Sequence, residues 1–256
     1  MTVSIAGKVG IITGAGSGLG RDIALLLAAD GARVIVADRD IDGAEETVRQ
    51  IHDAAGDAVA VELDVTDVES VAEAFEEVDT QGKLYWAVNC AGIHPDDSDI
   101  ADLDLAAFDR IMSVNTRGVV LSLREEMRRM REHGSGGAIV NIGSTRSIRA
   151  MPGSVAYVAS KHAVIGVTET AALEGGPIGV RVNCVCPGVM NTPMVAARRA
   201  ESDESEASYV DRVGGIIPRI AEAKEVAEGV RWLLSDASSY VTGHTLMADG
   251  GYKIRP

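Results

Sequence analysis

Short runs of β-branched and aliphatic residues alternate along this chain with longer stretches in which apolar positions recur three and four apart. Residues 9–12, 33–37, 58–63, 84–88, 138–142, 180–185 and 245–248 read as strands, and 18–30, 42–55, 67–80, 104–132, 155–175 and 223–235 read as helices. The strand runs are almost wholly apolar rather than alternating, which is what strands covered on both faces require. Helices between successive strands supply the two covering layers, so the pattern predicts an α/β fold on a doubly wound parallel sheet of seven strands. One stretch breaks the rhythm. Residues 191–219 carry small, charged and glycine residues without a strand and are expected to form a helical insertion, part of a movable lid over 189–219. No linker interrupts the alternation, and 1–256 is expected to fold as one domain.

Composition narrows the class. Of 256 residues 46% are hydrophobic, enough for a sizeable core and too many for a disordered chain. Twenty-four basic against 38 acidic residues leave a formal net charge of −14, which repels phosphate backbones and anionic bilayers, so neither nucleic acid nor membrane is an expected partner. Twenty-eight glycines with only two Phe and two Trp point to many tight turns and aliphatic packing. Cys90, Cys184 and Cys186 show no CxxC spacing and no paired histidines nearby. Neither a disulfide framework nor a metal site is expected, and a reducing cytoplasm fits best. The longest apolar stretches, such as 23–29, fall far short of the roughly 18 residues a bilayer span needs, and residues 1–14 lack the basic start of an export signal.

The first strand runs into Thr13-Gly14-Ala15-Gly16-Ser17-Gly18-Leu19-Gly20 and then a helix. Glycines there let the chain turn tightly and bring bare backbone N–H groups to a pyrophosphate at a helix N-terminus. The spacing is TGxxxGxG rather than GxGxxG, since Leu19 and Arg21 stand where the last glycine of the latter would fall. Asp38 closes the second strand, 18 residues beyond Gly20. A carboxylate there can accept hydrogen bonds from both hydroxyls of an adenosine ribose and repel a 2′-phosphate. Asp40 and Asp42 are better placed than Asp38 to cap the following helix. Arg39 pulls the other way, because a basic side chain beside Asp38 could receive a 2′-phosphate. Asp64, at the end of the third strand, is a further candidate, for the adenine edge.

Tyr157 and Lys161 are four apart on a predicted helix and so share one face. A free phenol titrates near about 10 and is a poor base at neutral pH, but an adjacent ammonium favours the phenolate and brings the group toward working range. Ser144 stands thirteen residues earlier, at the mouth of the fifth strand. With TGAGSGLG at 13–20, Asn89-Cys90-Ala91-Gly92, Asn115, Ser144, Tyr157-x-x-x-Lys161, and Pro187-Gly188 followed by Thr192, the chain resembles the short-chain dehydrogenase/reductase family in its single-domain form. The motifs stand in family order across essentially the whole chain, and jointly they are highly specific.

That resemblance implies a Rossmann-like sheet ordered 3-2-1-4-5-6-7, a nicotinamide cofactor and a homotetramer. It implies that Tyr157 exchanges a proton with the substrate oxygen and that Ser144 donates a hydrogen bond to the same oxygen. Lys161 would bind the nicotinamide ribose and bias Tyr157, and Asn115 would support a water leading protons away from the lysine. Hydride passes directly between the nicotinamide ring and carbon, so such a protein supplies orientation and proton handling, and no metal is needed. The residues implied at the cofactor are Gly14, Gly16, Ser17, Gly18, Leu19, Gly20, Asp38, Arg39, Asp64, Val65, Asn89, Ala91, Gly92, Tyr157, Lys161, Pro187, Gly188, Val189 and Thr192. Three positions depart from the family pattern. Cys90 replaces the second Asn of an NNAG segment, Glu174-Gly175-Gly176-Pro177 breaks the helix after Lys161, and Ser17 is neutral where NADP-preferring members often carry a basic residue. Ser17 and Asp38 together favour NAD over NADP despite Arg39.

The activity implied is interconversion of a secondary alcohol and a ketone with NAD(H). Substrate is expected between the loops 93–102 and 145–154 and the lid. Met151, Met190 and Met194 are candidates for an adaptable apolar wall. Arg146 is a candidate for a substrate carboxylate, although pointing outward is the commoner fate of an arginine. The acidic segments 94–97 and 201–206 are expected to be solvated faces. An NADPH-dependent 3-oxoacyl-(acyl carrier protein) reductase is the enzymatic alternative, encouraged by a local basic strip of Arg124, Arg128, Arg129 and Arg131 but opposed by the net charge and Asp38. A nucleotide-binding sensor without turnover is the non-enzymatic one, opposed by the intact Ser144, Tyr157, Lys161 and Asn115. No GxSxG elbow occurs, which excludes the serine-hydrolase arrangement.

Overall fold

The chain's elements follow one another as β1 (Val9–Thr13), α1 (Gly18–Ala29), β2 (Arg33–Asp38), α2 (Ile41–Asp53), β3 (Asp57–Glu62), α3 (Val68–Gln81), β4 (Leu84–Asn89), α4 (Leu105–Met112), α5 (Gly118–His133), β5 (Gly137–Ile142), α6 (Val155–Gly175), β6 (Val180–Pro187), β7 (Met190–Asn191), α7 (Pro193–Ala200), α8 (Glu206–Val213), β8 (Ala221–Glu222), α9 (Ala223–Leu234) and β9 (Thr245–Ala248). This is a computed structural model, and it describes residues 5–94, 98–200 and 204–255. Seven strands pair in parallel in the order β3-β2-β1-β4-β5-β6-β9, the arrangement the resemblance implies.

Alternate residues of each strand serve opposite layers. In β2, Val34 and Val36 pack with α1, α2 and α9, whereas Ile35 and Ala37 pack with the layer of α3, α5 and α6. All four are 0% exposed, which is why the strand carries no polar alternation. Asp40, Asp67 and Asp104 each accept a backbone N–H of the first turn of α2, α3 and α4. Ser17, preceding α1, makes no such side-chain bond.

The stretch predicted as one helix over 104–132 is helical throughout but not one α-helix. A π turn, Ser113–Arg117, separates α4 from α5. Such a turn inserts a residue without breaking the helical path, so it leaves almost no trace in the apolar spacing, yet it sets where Asn115 points. The insertion after β6 holds α7 and α8, and its ends are tied together by the parallel pairing of β7 with β8. Two-residue strands are too short to show a period, and sequence patterning passes them over. Among the described residues no helix is long and apolar enough to cross a membrane.

The basic strip expected along α5 is only partly free: Arg124 and Arg131 are exposed, but the two arginines between them are offset by acids. Arg129 is buried between Asp79 and Glu125, with contacts of 2.8 and 2.6 Å, and Arg128 pairs with Glu125 and Glu132. Deeper in the same layer runs a row of polar side chains. Asn89 on β4 donates to the Glu126 carboxyl (3.1 Å) and to Asn141 on β5 (2.9 Å), and Asn141 donates to Thr168 on α6 (3.0 Å). Glu126 is 0% exposed. Its burial pushes the carboxyl up from 4.5 to about 8, with the Asn89 bond pulling weakly the other way.

This carboxyl makes folding stability depend on pH in an unusual direction. Between pH 4.5 and about 8 the unfolded chain releases a proton that the folded chain keeps, so Glu126 lowers stability progressively as pH rises through that window. Glu126→Gln, which stays neutral, is expected to have a urea midpoint that gains on the wild type from pH 5 to pH 8.5. A gap of constant size across those pH values would mean that Glu126 ionises normally inside the fold.

Candidate active site

Every functional candidate lies where the carboxyl ends of the strands meet, at the point where strand order reverses beside β1. The turn after β1 is shaped by backbone contact. Gly14 has φ +71° and a Cβ there would come 2.6 Å from Ala91 Cα, while a Cβ on Gly20 would come 2.1 Å from the Gly14 carbonyl oxygen. Thr13 Oγ1 accepts the N–H groups of Cys90 and Ala91 at 3.2 and 3.3 Å and fastens this turn to the end of β4. Arg21, standing where a GxGxxG turn would have glycine, donates to the Gly16 and Gly43 carbonyls and through Nε to Thr47. Thr47 Oγ1 donates to Ala15 O at 2.9 Å. Arg21 and Thr47 thus brace the turn from behind, a role invisible in sequence because it needs α2 packed beside α1.

A cavity of about 430 Å³ opens over this turn, within the size range of small-molecule sites. Of the residues implied at the cofactor, all but Gly16 and Asn89 line it. Gly16 lies one layer back. Its N–H donates to Asp38 Oδ2 at 2.8 Å, and a Cβ would stand 2.9 Å from that carboxylate, so its role is to admit Asp38. Asn89, expected at the cofactor, turns its side chain instead into the Glu126–Asn141 row. Strand alternation explains this, since Ala87 belongs to the α3, α5 and α6 layer and Asn89 is two residues on. Asp38 Oδ1 also accepts the N–H of Asp40 at 3.0 Å. Burial by itself would raise the Asp64 carboxyl, but two bonds from Thr66 and the charge of Arg39 hold it below its ordinary value.

The donor set fits a dinucleotide. N–H groups of α1 without a side-chain cap follow a turn in which Gly14, Gly16 and Gly20 leave no room for a Cβ, and the Asp38 carboxylate lies on the cavity wall with hydrogen-bond acceptance to offer a ribose.

Ser144, Tyr157 and Lys161 line the same cavity. Ser144 follows Gly143, where a Cβ would press within 3 Å of the Cys184 and Cys186 sulfurs and Ser147 Oγ, so the end of β5 sits tightly on β6. Ser144 Oγ accepts the N–H of Arg146 at 3.1 Å, and Ser147 Oγ accepts the N–H of Ser144 at 3.1 Å. Tyr157 and Lys161 are one turn apart on α6, with Lys161 Nζ 5.8 Å from the Tyr157 ring centroid and donating to Ile142 O at 2.9 Å. Asn115 is 0% exposed and behind the wall. Its Oδ1 accepts the Ile93 N–H at 2.8 Å, and its Nδ2 donates to Ile93 O and to Ser160 Oγ at 3.0 and 3.2 Å, so it pins the loop after β4 to α6.

Of the two segments expected as solvated acidic faces, only parts are described. His94 lies on the cavity wall, its ring 5.3 Å from that of Tyr157 and inclined by 25°. Glu204 pairs with Arg212 at 2.7 Å. Residues 95–97 and 201–203 lie outside the described residues. Met151, Met190 and Met194 all line the cavity.

The family described as enoyl-(acyl carrier protein) reductase matches residues 14–253. The short chain dehydrogenase/reductase astE of Aspergillus oryzae is 40% identical over 253 residues, covering 98% of this chain and 97% of its own. Cyclohexanol dehydrogenase of an Acinetobacter species is 38% identical over 246 residues, covering 96% and 94%. The crystal structure of levodione reductase aligns with a TM-score of 0.93 at 33% identity, over 98% of this chain and 100% of that one. The chain belongs to the short-chain dehydrogenase/reductase family, whose members are oxidoreductases generally using NAD(P).

Because the Gly14–Gly20 contact leaves no space, Gly20→Ala is expected to displace the turn and weaken binding of a nicotinamide dinucleotide by about tenfold or more. Nucleotide fluorescence titration measures this, and an unchanged affinity would separate the turn from the cofactor.

Proposed function

We propose that the chain interconverts a secondary alcohol and a ketone with NAD(H), Tyr157 acting as general acid/base. The observation that carries this reading is that Ser144, Tyr157 and Lys161 share one cavity with the uncapped glycine turn and Asp38. When bound there, a nicotinamide dinucleotide supplies or accepts the hydride. The chain's own groups handle the proton. Tyr157 Oη exchanges it with the substrate oxygen, Ser144 Oγ donates a hydrogen bond to that oxygen, and the Lys161 ammonium favours the phenolate and holds the nicotinamide ribose. Asn115 acts at one remove, supporting a water that carries protons away from Lys161 and fixing the Ile93 backbone beside the reacting groups.

The apolar part of the wall, with Met151, Val189, Met190, Met194 and Val195, suits an alicyclic or other compact apolar body, in keeping with the cyclohexanol and levodione named for two relatives. The segment 189–219 serves as the lid, contributing Tyr209, Arg212 and Val213 from α8. Docking of an acyl carrier protein has weaker support, because Arg128 and Arg129 are offset by acids of α3 and α5 and only Arg124 and Arg131 of the strip stay exposed without a paired acid among the described residues. Folding of 1–256 as one domain, homotetrameric assembly and a cytoplasmic setting belong to the same reading, the last in keeping with three free cysteines.

Tyr157→Phe is expected to keep NADH binding while lowering kcat with any competent alcohol by about 10²- to 10⁴-fold. A rate near that of the wild type would remove Tyr157 from the chemistry. Asp38 is expected to make NADH bind about tenfold or more tightly than NADPH, since a 2′-phosphate would meet its carboxylate. Equal or reversed affinities in a titration would exclude the NAD assignment.

A further inference from the structure

Charge is distributed unevenly along the cavity. At the nucleotide end Arg39 stands with Asp38 and Asp64. At the end holding Ser144 and Tyr157, the wall carries Arg146 and Arg212, and among the described residues that line it there is no carboxylate. Arg212 is matched by Glu204 at 2.7 Å.

Arg146 is different. Its Nη2 donates to the hydroxyl of Tyr252 at 3.2 Å, its guanidinium lies 5.4 Å from the centre of the Tyr252 ring, and no acid pairs with it among the described residues. Tyr252 is itself held by Arg149, whose guanidinium lies 5.0 Å from the ring centre and donates to the Tyr252 carbonyl at 2.9 Å. A half-buried guanidinium without an acid is notable in a chain with 38 acidic residues, because partial burial of an uncompensated charge is costly. Only one of its N–H groups has Tyr252 as partner, leaving donors for a planar anion. Its place is also fixed relative to the reacting groups. The Arg146 N–H is bonded to Ser144 Oγ, and Tyr252 orients the fork from the far side.

We propose that Arg146 is a specificity-determining residue that receives a carboxylate carried by the substrate away from its carbinol carbon. The proposal rests on the secondary-alcohol reading and deepens it: the preferred substrate is an apolar hydroxy acid, or the matching oxo acid, rather than a neutral alcohol. The carboxylate completes the guanidinium as a charge-assisted pair in a partly desolvated wall, while the methionine-lined portion takes the hydrocarbon body.

The test compares 4-hydroxycyclohexanecarboxylate with 4-methylcyclohexanol, similar in shape but neutral, in the wild type, Arg146→Gln and Arg146→Lys. The wild type is expected to favour the hydroxy acid in kcat/KM. Arg146→Gln should raise KM for the hydroxy acid about ten- to a hundredfold and leave the neutral alcohol nearly unchanged, with Arg146→Lys between. The neutral alcohol also reports whether the variant is folded. No preference in the wild type, or an equal loss for both alcohols in Arg146→Gln, would overturn the proposal. Should the wild type oxidise neither alcohol, the alcohol reading fails on its own account. Binding of inert cyclohexanecarboxylate, followed by fluorescence, then decides for Arg146 separately: sensitivity to Arg146→Gln sustains it and indifference overturns it.

Discussion

The site depends on how closely the ends of β1 and β4 approach. Gly14 lies against Ala91 with no room for a side chain, and Thr13 bonds the two N–H groups that follow β4. That contact lies where strand order reverses, with β2 on one side of β1 and β4 on the other, so the connections leave in opposite directions and a crevice opens above. A larger residue at 14 or 20 would push the turn into the space of its neighbours. The glycine excess therefore has one clear function at this point, whereas elsewhere many glycines simply end elements.

Below the crevice, the layer of α3, α5 and α6 does more than fill space. The row from Glu126 through Asn89 and Asn141 to Thr168 joins β4 and β5 to α5 and α6 by polar contacts that apolar packing could not orient. The same helical layer carries Asn115, Tyr157 and Lys161 upward to the cavity. Asn115 completes the connection by holding both polar groups of the Ile93 backbone, so the loop after β4 has its position relative to α6 fixed from below.

At the opposite end the chain returns to the site from its C-terminal residues. Tyr252 is held by Arg146 and Arg149 of the loop after β5, and Arg255 bonds Asp211 and the Gly214 carbonyl at the end of α8. One short segment thus touches both the loop that carries Ser144 and the helical insertion over the cavity. The net charge of −14 gives no hint of this local arrangement, in which Arg212 is offset by Glu204 while Arg146 has no paired acid among the described residues.

Much was legible in the sequence because it is local. A strand buried on both faces must be apolar throughout, a turn pressed against neighbouring backbone needs glycine at the points of contact, and residues four apart on a helix must share a face. From these the seven main strands, the turn at 13–20, Asp38 and the pair Tyr157 and Lys161 could be located by reading along the chain. What folding decided involves partners distant in sequence or shifts too small to change periodicity. Asn89 turns its side chain to the interior and not to the cavity, Arg129 is inside and not on a basic strip, His94 meets Tyr157, and a five-residue π turn carries Asn115. Arg146 and Tyr252 are 106 residues apart. Sequence by itself determined which elements form and which chemistry they carry, because hydrogen-bond geometry and side-chain periodicity act over a few residues. Only the tertiary structure decided which side chains share the cavity, because that depends on how whole layers pack.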